Sequence, residues 1–360
     1  MSEILPSTDV VIGVDTHKSI HAAVAISALG ARLGSLSNPA NSRGYQALLD
    51  WARSLGPIRA FGVEGTGSYG AGLSRFLSEH SYPVLEVNRP SRQLRHQKGQ
   101  DDGVDAESAA RSLLAGQATA RPKSGTSTAE MIRHLKVARD AAVKARSQAM
   151  QALKAIIVSA PSALREGLDR LTGKMALLRH LAALRPGPLT STMASAKASL
   201  RAIARRWLAL DAEVKDHDAS LGQLTQQSAP KLMQAHGMGA GTAAEILILI
   251  GDNPERIHSE AALAKLCGVC PVPASSGKTT LHRLSRGGNR QANAALYRVV
   301  IVRMRAHQPT LDYVRRRTAE GKSKPEIIRC LKRYVAREIF GYLCRPVHPP
   351  QTAPAAPCPL

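Results

Sequence analysis

Hydrophobic and polar positions follow two different rhythms along the chain. Near the N-terminus, Val10-Val11-Ile12-Gly13-Val14 is a β-branched run ending in Asp15, followed by a polar turn (Thr16-His17-Lys18) and a second apolar stretch from Ala22 to Ile26. Short apolar runs bounded by turn residues predict buried strands joined as a hairpin. Strands are expected over 10–15, 21–26 and about 31–37, then a helix over 42–55 with Tyr45, Leu48, Leu49 and Ala52 on one face. A strand over 59–64, a helix over 71–80 and a strand over 83–87 follow. After them come a basic loop from Arg89 to Gln100 and a helix from Asp102 that turns Ala106, Ala109, Ala110 and Leu113 inward. Three strands in succession followed by αβαβ is the order of an RNase H-like fold; a plain doubly wound domain does not begin this way.

Beyond Thr128 the period changes. Leu135, Ala142, Ala149 and Ile156 recur every seven residues, with Ala138, Ala145 and Ala152 at the second seam position. Leu200, Trp207, Val214 and Leu221 repeat the pattern, with Ile203, Leu210, His217 and Leu224 beside them. Two such helices on either side of Arg185-Pro-Gly-Pro188 predict an antiparallel coiled-coil arm or half of a dimer bundle. Glycines in His236–Thr242 then lead into an apolar helix over 243–250. Such glycines either bring helix amides to a phosphate, as in a helix-hairpin-helix element, or make a tight turn. A short helix over 261–266, a Pro-punctuated loop to Gly288 and helices over 290–306 and 325–343 complete the pattern, before a Pro/Ala-rich tail from Pro346 that is expected to be disordered. The expected organisation is an α/β, RNase H-like domain (1–123), a coiled-coil region (124–225), a mainly helical domain (226–345) and a tail (346–360).

Charge adds a partner. The 360 residues carry a formal net charge of +22, distributed as +2 over 1–123, +8 over 124–225 and +12 over 226–360. Such an excess points to a polyanion, and the carboxylates concentrate where the excess is least. Between Lys278 and Arg337 there are 16 basic and 3 acidic residues. Five scattered cysteines do not make a disulfide framework and suit a reducing compartment. No signal-peptide pattern is seen, and the longest apolar run, Ala243–Ile250, is too short to span a bilayer, so an intracellular protein is expected.

Candidate chemistry sits at the strand ends. Asp15 closes the first strand, Glu64 closes the fourth, and Asp102 and Asp105 share a helix face at i and i+3. Four carboxylates gathered at one sheet end repel one another unless divalent cations neutralise them, and hard oxygen ligands favour Mg²⁺ or Mn²⁺. Such ions polarise a phosphodiester and stabilise attacking and leaving oxygens. Gly65-Thr-Gly67-Ser-Tyr-Gly70 fits a dinucleotide fingerprint, but Glu64 would lie against the pyrophosphate, and Gly277-Lys278-Thr279 lacks the first glycine of a P-loop. Cys267 and Cys270 form one C-x-x-C with no matching pair. A serine in Ala274-Ser275-Ser276-Gly277-Lys278, among basic residues, is a chemically suitable nucleophile, although Ser-Ser-Gly is also ordinary loop composition.

The order Gly-Val-Asp15, Glu64-Gly-Thr-Gly-Ser-Tyr, Asp102-Gly-Val-Asp-Ala, Gly237-Met-Gly, Cys267-Gly-Val-Cys-Pro, Ser275-Ser-Gly-Lys and Ser285-Arg-Gly-Gly-Asn-Arg resembles the DEDD transposases of the IS110 insertion-sequence family and the related Piv-type DNA invertases. The resemblance covers roughly residues 9–345. It implies a RuvC-like domain, a coiled-coil dimerisation region and a C-terminal transposase domain. Asp15, Glu64, Asp102 and Asp105 match the acidic tetrad, and Ser276, five residues after Pro271, matches the nucleophile. Asp101 adds a carboxylate beside Asp102, which is preferred for its spacing to Asp105, and Arg286 stands where lysine is commoner. The implied activity is site-specific recombination that cuts and rejoins DNA through a phosphoserine ester with Mg²⁺ (or Mn²⁺). The implied partners are donor and target DNA, a structured guide RNA encoded by the element, and further copies of the chain as a dimer or a tetramer of two dimers, in the cytoplasm at the nucleoid. Lys278, Arg283, Arg286, Asn289 and Arg290 are the expected nucleic-acid contacts. Alternatives are a metal-dependent junction resolvase that uses water and a non-catalytic nucleic-acid-binding protein.

Overall fold

A computed structural model of the chain describes residues 9–87, 102–274 and 282–345. The basic loop at 89–100, Asp101, Ser275, Ser276, Lys278 and the tail from Pro346 lie outside the described residues. The chain divides into two units, one reaching Ser127 and including Gly251–Arg256, the other comprising Thr128–Ile250 and the chain from Ile257.

In the first unit the strands are β1 (Val10–Thr16), β2 (Ile20–Ser27), β3 (Arg32–Pro39), β4 (Ile58–Glu64) and β5 (Val84–Val87). Helices α1 (Ser42–Ser54) and α2 (Ala71–Glu79) flank β4, and α3 spans Asp102–Leu114. The sheet order is β3-β2-β1-β4-β5; β2 runs antiparallel to its neighbours, and β4 runs parallel to β1 and β5. This mixed sheet, opened by a three-strand meander, fits the RNase H-like fold expected from the element order and the RuvC-like domain implied by the resemblance.

Strand alternation sorts its two faces. Val10, Ile12 and Val14 of β1, with Phe61 and Val63 of β4, pack on Leu48, Leu49, Leu73 and Leu77 of α1 and α2. Val11 turns to the opposite face, where Ala106 and Ala110 of α3 cover it. Both faces of β1 are thus buried, which is why it reads as an unbroken apolar run rather than an alternating one. Asn41 starts α1 by accepting a hydrogen bond from the Gly44 amide at 3.0 Å.

The second unit is largely helical: α4 (Thr128–Ser159), α5 (Ser162–Asp169), α6 (Lys174–Ala183), α7 (Thr192–Ser228), α8 (Pro230–Met233), α9 (Ala240–Ile250) and α10 (Glu260–Leu266). A small antiparallel hairpin, β6 (Pro271–Pro273) and β7 (His282–Leu284), precedes α11 (Arg290–Ala306), α12 (Gln308–Ala319) and α13 (Lys324–Leu343).

Helices α4 and α7 run antiparallel, since Arg139 pairs with Asp218 and Arg146 with Asp211. Leu200, Trp207, Val214 and Leu221 are all buried along α7. The α4 seam drifts: Ala142 and Ala149 are buried, but Ala152 is exposed and Leu153 takes its place. A helix of 3.6 residues per turn slips relative to a seven-residue repeat, so the contact line moves to the next residue. The Pro/Gly stretch does not join α4 and α7 by itself. Helices α5 and α6 intervene, and their Leu164, Leu168, Leu178 and Leu181 share a core with Leu153, Leu200 and Trp207.

Two more elements were not expected. Helix α12 is polar, arginine-rich and has Pro309 in its first turn, so it carries little apolar period to read. The hairpin strands are three residues each, too short to register against their prolines. Around α9, which is buried along most of its length, Leu263, Leu296, Val299, Ile327, Val335 and Ile339 form the principal core of this unit.

Candidate functional site

Two adjacent strands deliver the first two carboxylates. β1 and β4 are paired in parallel through Gly13↔Gly62 and Val14↔Val63, and continuing that register by one residue places Asp15 beside Glu64. The same alternation that turns Val11 toward α3 turns Gly13 and Asp15 there, and Gly62 and Glu64 likewise. Both acids therefore occupy the α3 face at the carboxyl ends of parallel strands. They are 4% and 7% exposed, unusually low for acidic residues.

Helix α3 supplies the other two by approaching the sheet almost to backbone contact. A Cβ on Gly13 would stand 2.0 Å from the Ala106 carbonyl oxygen and 2.3 Å from the Ala110 amide nitrogen; one on Gly62 would meet Leu113 at 2.9 Å. Glycine beneath the helix and alanine upon it let the axis come this close. Asp102 and Asp105, in the first turn of α3, then reach the strand ends. Negative charge there also favours the N-terminal end of the helix dipole.

The electrostatics report the gathering. Asp15 is harder to ionise than a free aspartate, chiefly because it is buried and then because the Glu64, Asp105 and Asp102 carboxylates oppose its charge; His17 acts in the other direction. That histidine was not among the expected site residues. Its Nε2 lies 3.2 Å from Asp15 Oδ2 and 3.1 Å from Asp102 Oδ1, so it bridges the strand end and the helix start. Reading Thr16-His17-Lys18 as a polar turn hid this role; the available signal was a histidine two residues after a strand-end aspartate. Thr16 helps hold the neighbouring strands, its hydroxyl donating to the Glu64 carbonyl at 2.8 Å.

Ligand atoms of Asp15, His17 and Asp102 lie within 4.8 Å of one another, with Glu64 and Asp105 close enough to act on Asp15. Oxygen and imidazole nitrogen donors around a carboxylate destabilised by like charges fit a divalent cation, which would remove that repulsion.

In the second unit, Arg283 stands exposed on β7, and Arg286 and Arg290 are exposed on either side of Asn289. Asn289 itself serves the backbone, since its Oδ1 accepts from the Ala292 amide at 2.9 Å and caps α11. The Cys-Gly-Val-Cys and Ser-Arg-Gly-Gly-Asn segments, separated in sequence, touch through their glycines; a Cβ on Gly268 would be 2.4 Å from the Gly287 carbonyl oxygen.

Residues 12–160 match the family model of IS110-type DEDD transposases, and residues 229–315 match that of the transposase IS116/IS110/IS902 family. The chain is 31% identical over 159 residues to the uncharacterized 43.6 kDa protein of insertion element IS110 from Streptomyces coelicolor, covering 44% of this chain and 38% of that protein. To the uncharacterized 42 kDa protein of IS900 from Mycobacterium paratuberculosis it is 27% identical over 158 residues, 43% of this chain and 40% of the relative. The uncharacterized 44.8 kDa protein of IS116 from Streptomyces clavuligerus is 31% identical over 123 residues, 33% of this chain and 30% of its own length. The chain thus spans less than half the length of each relative it matches.

Proposed function

Because the chain belongs to the IS116/IS110/IS902 family of transposases, we propose that it is a DNA recombinase that moves an insertion sequence by cutting and rejoining DNA, with one reactive centre in each unit. The observation that carries this reading is the convergence of Asp15, Asp102 and His17 at the sheet end, with Glu64 and Asp105 beside them, in a chain that also has the second family segment.

Asp15, Glu64, Asp102 and Asp105 hold the metal in this reading, with His17 as an added nitrogen donor. A bound Mg²⁺ or Mn²⁺ supplies charge neutralisation at a phosphodiester. Burial of Asp15 and Glu64 keeps their carboxylates oriented, and α3 holds Asp102 opposite them. Ser276 is assigned as nucleophile: its oxygen attacks phosphorus, its proton passes to a base, and the departing strand oxygen takes up a proton. A strand-end hydroxyl then attacks the phosphoserine and releases the serine. The ester conserves the phosphodiester bond energy, so no nucleotide cofactor is needed.

The remaining assignments follow from charge and shape. Lys278, Arg283, Arg286 and Arg290 grip DNA or RNA backbone, and a structured guide RNA pairs with donor and target. The antiparallel α4–α7 pair serves as a coiled-coil arm that brings copies together as a dimer, or a tetramer of two dimers. On this division 1–123 is the metal domain, 124–225 the arm and 226–345 the transposase domain.

The test is a denaturing gel for a covalent protein–DNA adduct, with the element's flanking RNA, junction DNA and Mg²⁺, run beside Ser276→Ala and Asp15→Ala. An adduct lost in both variants is expected. Metal-dependent cleavage without an adduct, unchanged in Ser276→Ala, would instead establish a resolvase that uses water, for which the acidic cluster alone suffices.

A further inference from the structure

A cleft of about 690 Å³ opens in the second unit between the β6–β7 hairpin and helices α12 and α13. Eight lysine and arginine side chains line it against one glutamate, Glu326. That glutamate is already engaged, accepting from the Ser323 amide at 2.9 Å and the Ser323 hydroxyl at 2.7 Å as part of the α13 cap. Glu260 also pairs with Arg333 and Arg337, and Glu320 with Arg316 and Arg317, yet three carboxylates against eight cations leave the cleft net positive. Much of the wall, from Arg316 onward, lies beyond residues 229–315 that the family model matches.

Three features define what enters. First, charge is presented from fixed positions. Arg333 reaches Glu260 at 3.6 Å, yet its Nη1 is buried with no hydrogen-bond partner among the described residues, and Arg317 Nε is in the same condition. Buried donors without partners are costly, so an acceptor arriving in the cleft is favoured. Second, the base of the hairpin is braced to the cleft wall. Lys332 Nζ donates to Asn293 Oδ1 at 2.9 Å, and Asn293 Nδ2 donates to the Cys267 and Gly268 carbonyls at 3.0 and 2.9 Å. Burial and the nearby Arg329 make Lys332 easier to deprotonate than a free lysine, a penalty that a bound anion offsets. Third, two aromatic rings stand among the cations. Tyr334 is 49% exposed and packs edge-on against Tyr313 at 5.4 Å, with Arg337 over the Tyr334 ring at 5.8 Å and Arg316 over Tyr313 at 5.3 Å.

We propose that this cleft binds an unpaired stretch of a DNA strand, with backbone phosphates on the Arg317, Arg329 and Arg333 side and a base stacked on Tyr334. Cations alone would suit a duplex or a free phosphate. A half-exposed ring within a basic cleft offers a stacking face for a base out of its stack, and the cleft is larger than a phosphate needs. In sequence Ser276 falls between β6 and β7, and residues of both strands line this cleft. The inference rests on the recombinase reading for the identity of the polyanion.

The full-length protein is titrated with a single-stranded DNA oligonucleotide carrying a fluorescent base analogue, with the same sequence as a duplex and with the equivalent RNA, over a range of salt concentrations. Tyr334→Ala is expected to weaken single-strand binding about tenfold and abolish stacking-induced quenching, while Tyr334→Phe retains both. Arg333→Ala and Arg329→Ala are each expected to lower the slope of log affinity against log salt by about one, and Arg165→Ala, on α5, to leave it unchanged. Folded Tyr334→Ala and Arg333→Ala proteins that bind like the parent would overturn the cleft assignment. A loss confined to RNA would overturn DNA as its occupant. A parent protein that binds no DNA at any salt concentration would instead sink the recombinase reading beneath it.

Discussion

Asp15 carries an electrostatic conflict that a bound cation would relieve. Its raised pKa means that its contribution to stability is present at pH values below the unfolded aspartate pKa and is lost as pH rises through the folded value. At neutral pH the ionised carboxylate therefore destabilises the metal-free fold. Asp15→Asn should melt at a higher temperature than the parent in chelator, yet lose the upward shift that Mn²⁺ produces in the parent; thermal melts with and without Mn²⁺ check both halves. His21 carries the opposite sign. Fully buried in β2 and stacked on Tyr45 at 5.7 Å, it is held neutral chiefly by burial, which lowers its pKa. Its contribution is present above the unfolded histidine pKa and lost as pH falls through the folded one. Urea unfolding between about pH 7 and pH 5 should show a loss of stability that His21→Phe flattens.

At the scale of elements, the site depends on how closely α3 lies on β1 and β4. A side chain at Gly13 would meet backbone atoms of α3 rather than a flexible side-chain end, so the helix itself must move. Gly13→Ala is expected to cost about 1–3 kcal/mol in chemical denaturation, the usual range for overpacking, and to weaken metal binding because Asp102 and Asp105 travel with the helix. Gly67→Ala, where an added Cβ meets nothing within 4 Å, is the matched control and should leave stability nearly unchanged. The same pair separates this site from a dinucleotide fold, in which the middle glycine of the fingerprint must let a pyrophosphate approach.

Over the whole molecule, charge and carboxylates are segregated. The nearly neutral first third holds the acidic cluster, and the excess of cations is in the other two thirds. On the recombinase reading, metal removal should therefore abolish DNA cutting while leaving DNA affinity within about twofold, which a gel-shift assay in chelator measures; an equal loss of both would mean that the acidic cluster is a binding platform. Affinity itself should fall steeply with salt, by about tenfold or more between 50 and 200 mM, because cation–phosphate contacts release counterions.

The succession of strands along the chain and the spans of most of the longer helices were legible because they rest on short-range chemistry. A β-branched run such as 10–14 must be buried, and Leu200, Trp207, Val214 and Leu221 must share a face whatever they pack against. The positions of Asp15 and Glu64 at strand ends were equally local. By itself, then, the sequence determined the mixed sheet, its sequential strands, the two long seams and the polyanionic bias. It did not reveal α5 and α6 between the seams, α12, whose arginines carry no apolar period, or the short β6–β7 hairpin. Tertiary structure alone decided that α3 lies on Gly13 and Gly62, that His17 bridges Asp15 and Asp102, and that the arginines of α12 and α13 converge with Tyr334 on one cleft. Each of these depends on which faces of distant elements meet, and that is set by packing and close backbone approach rather than by any pattern along the chain.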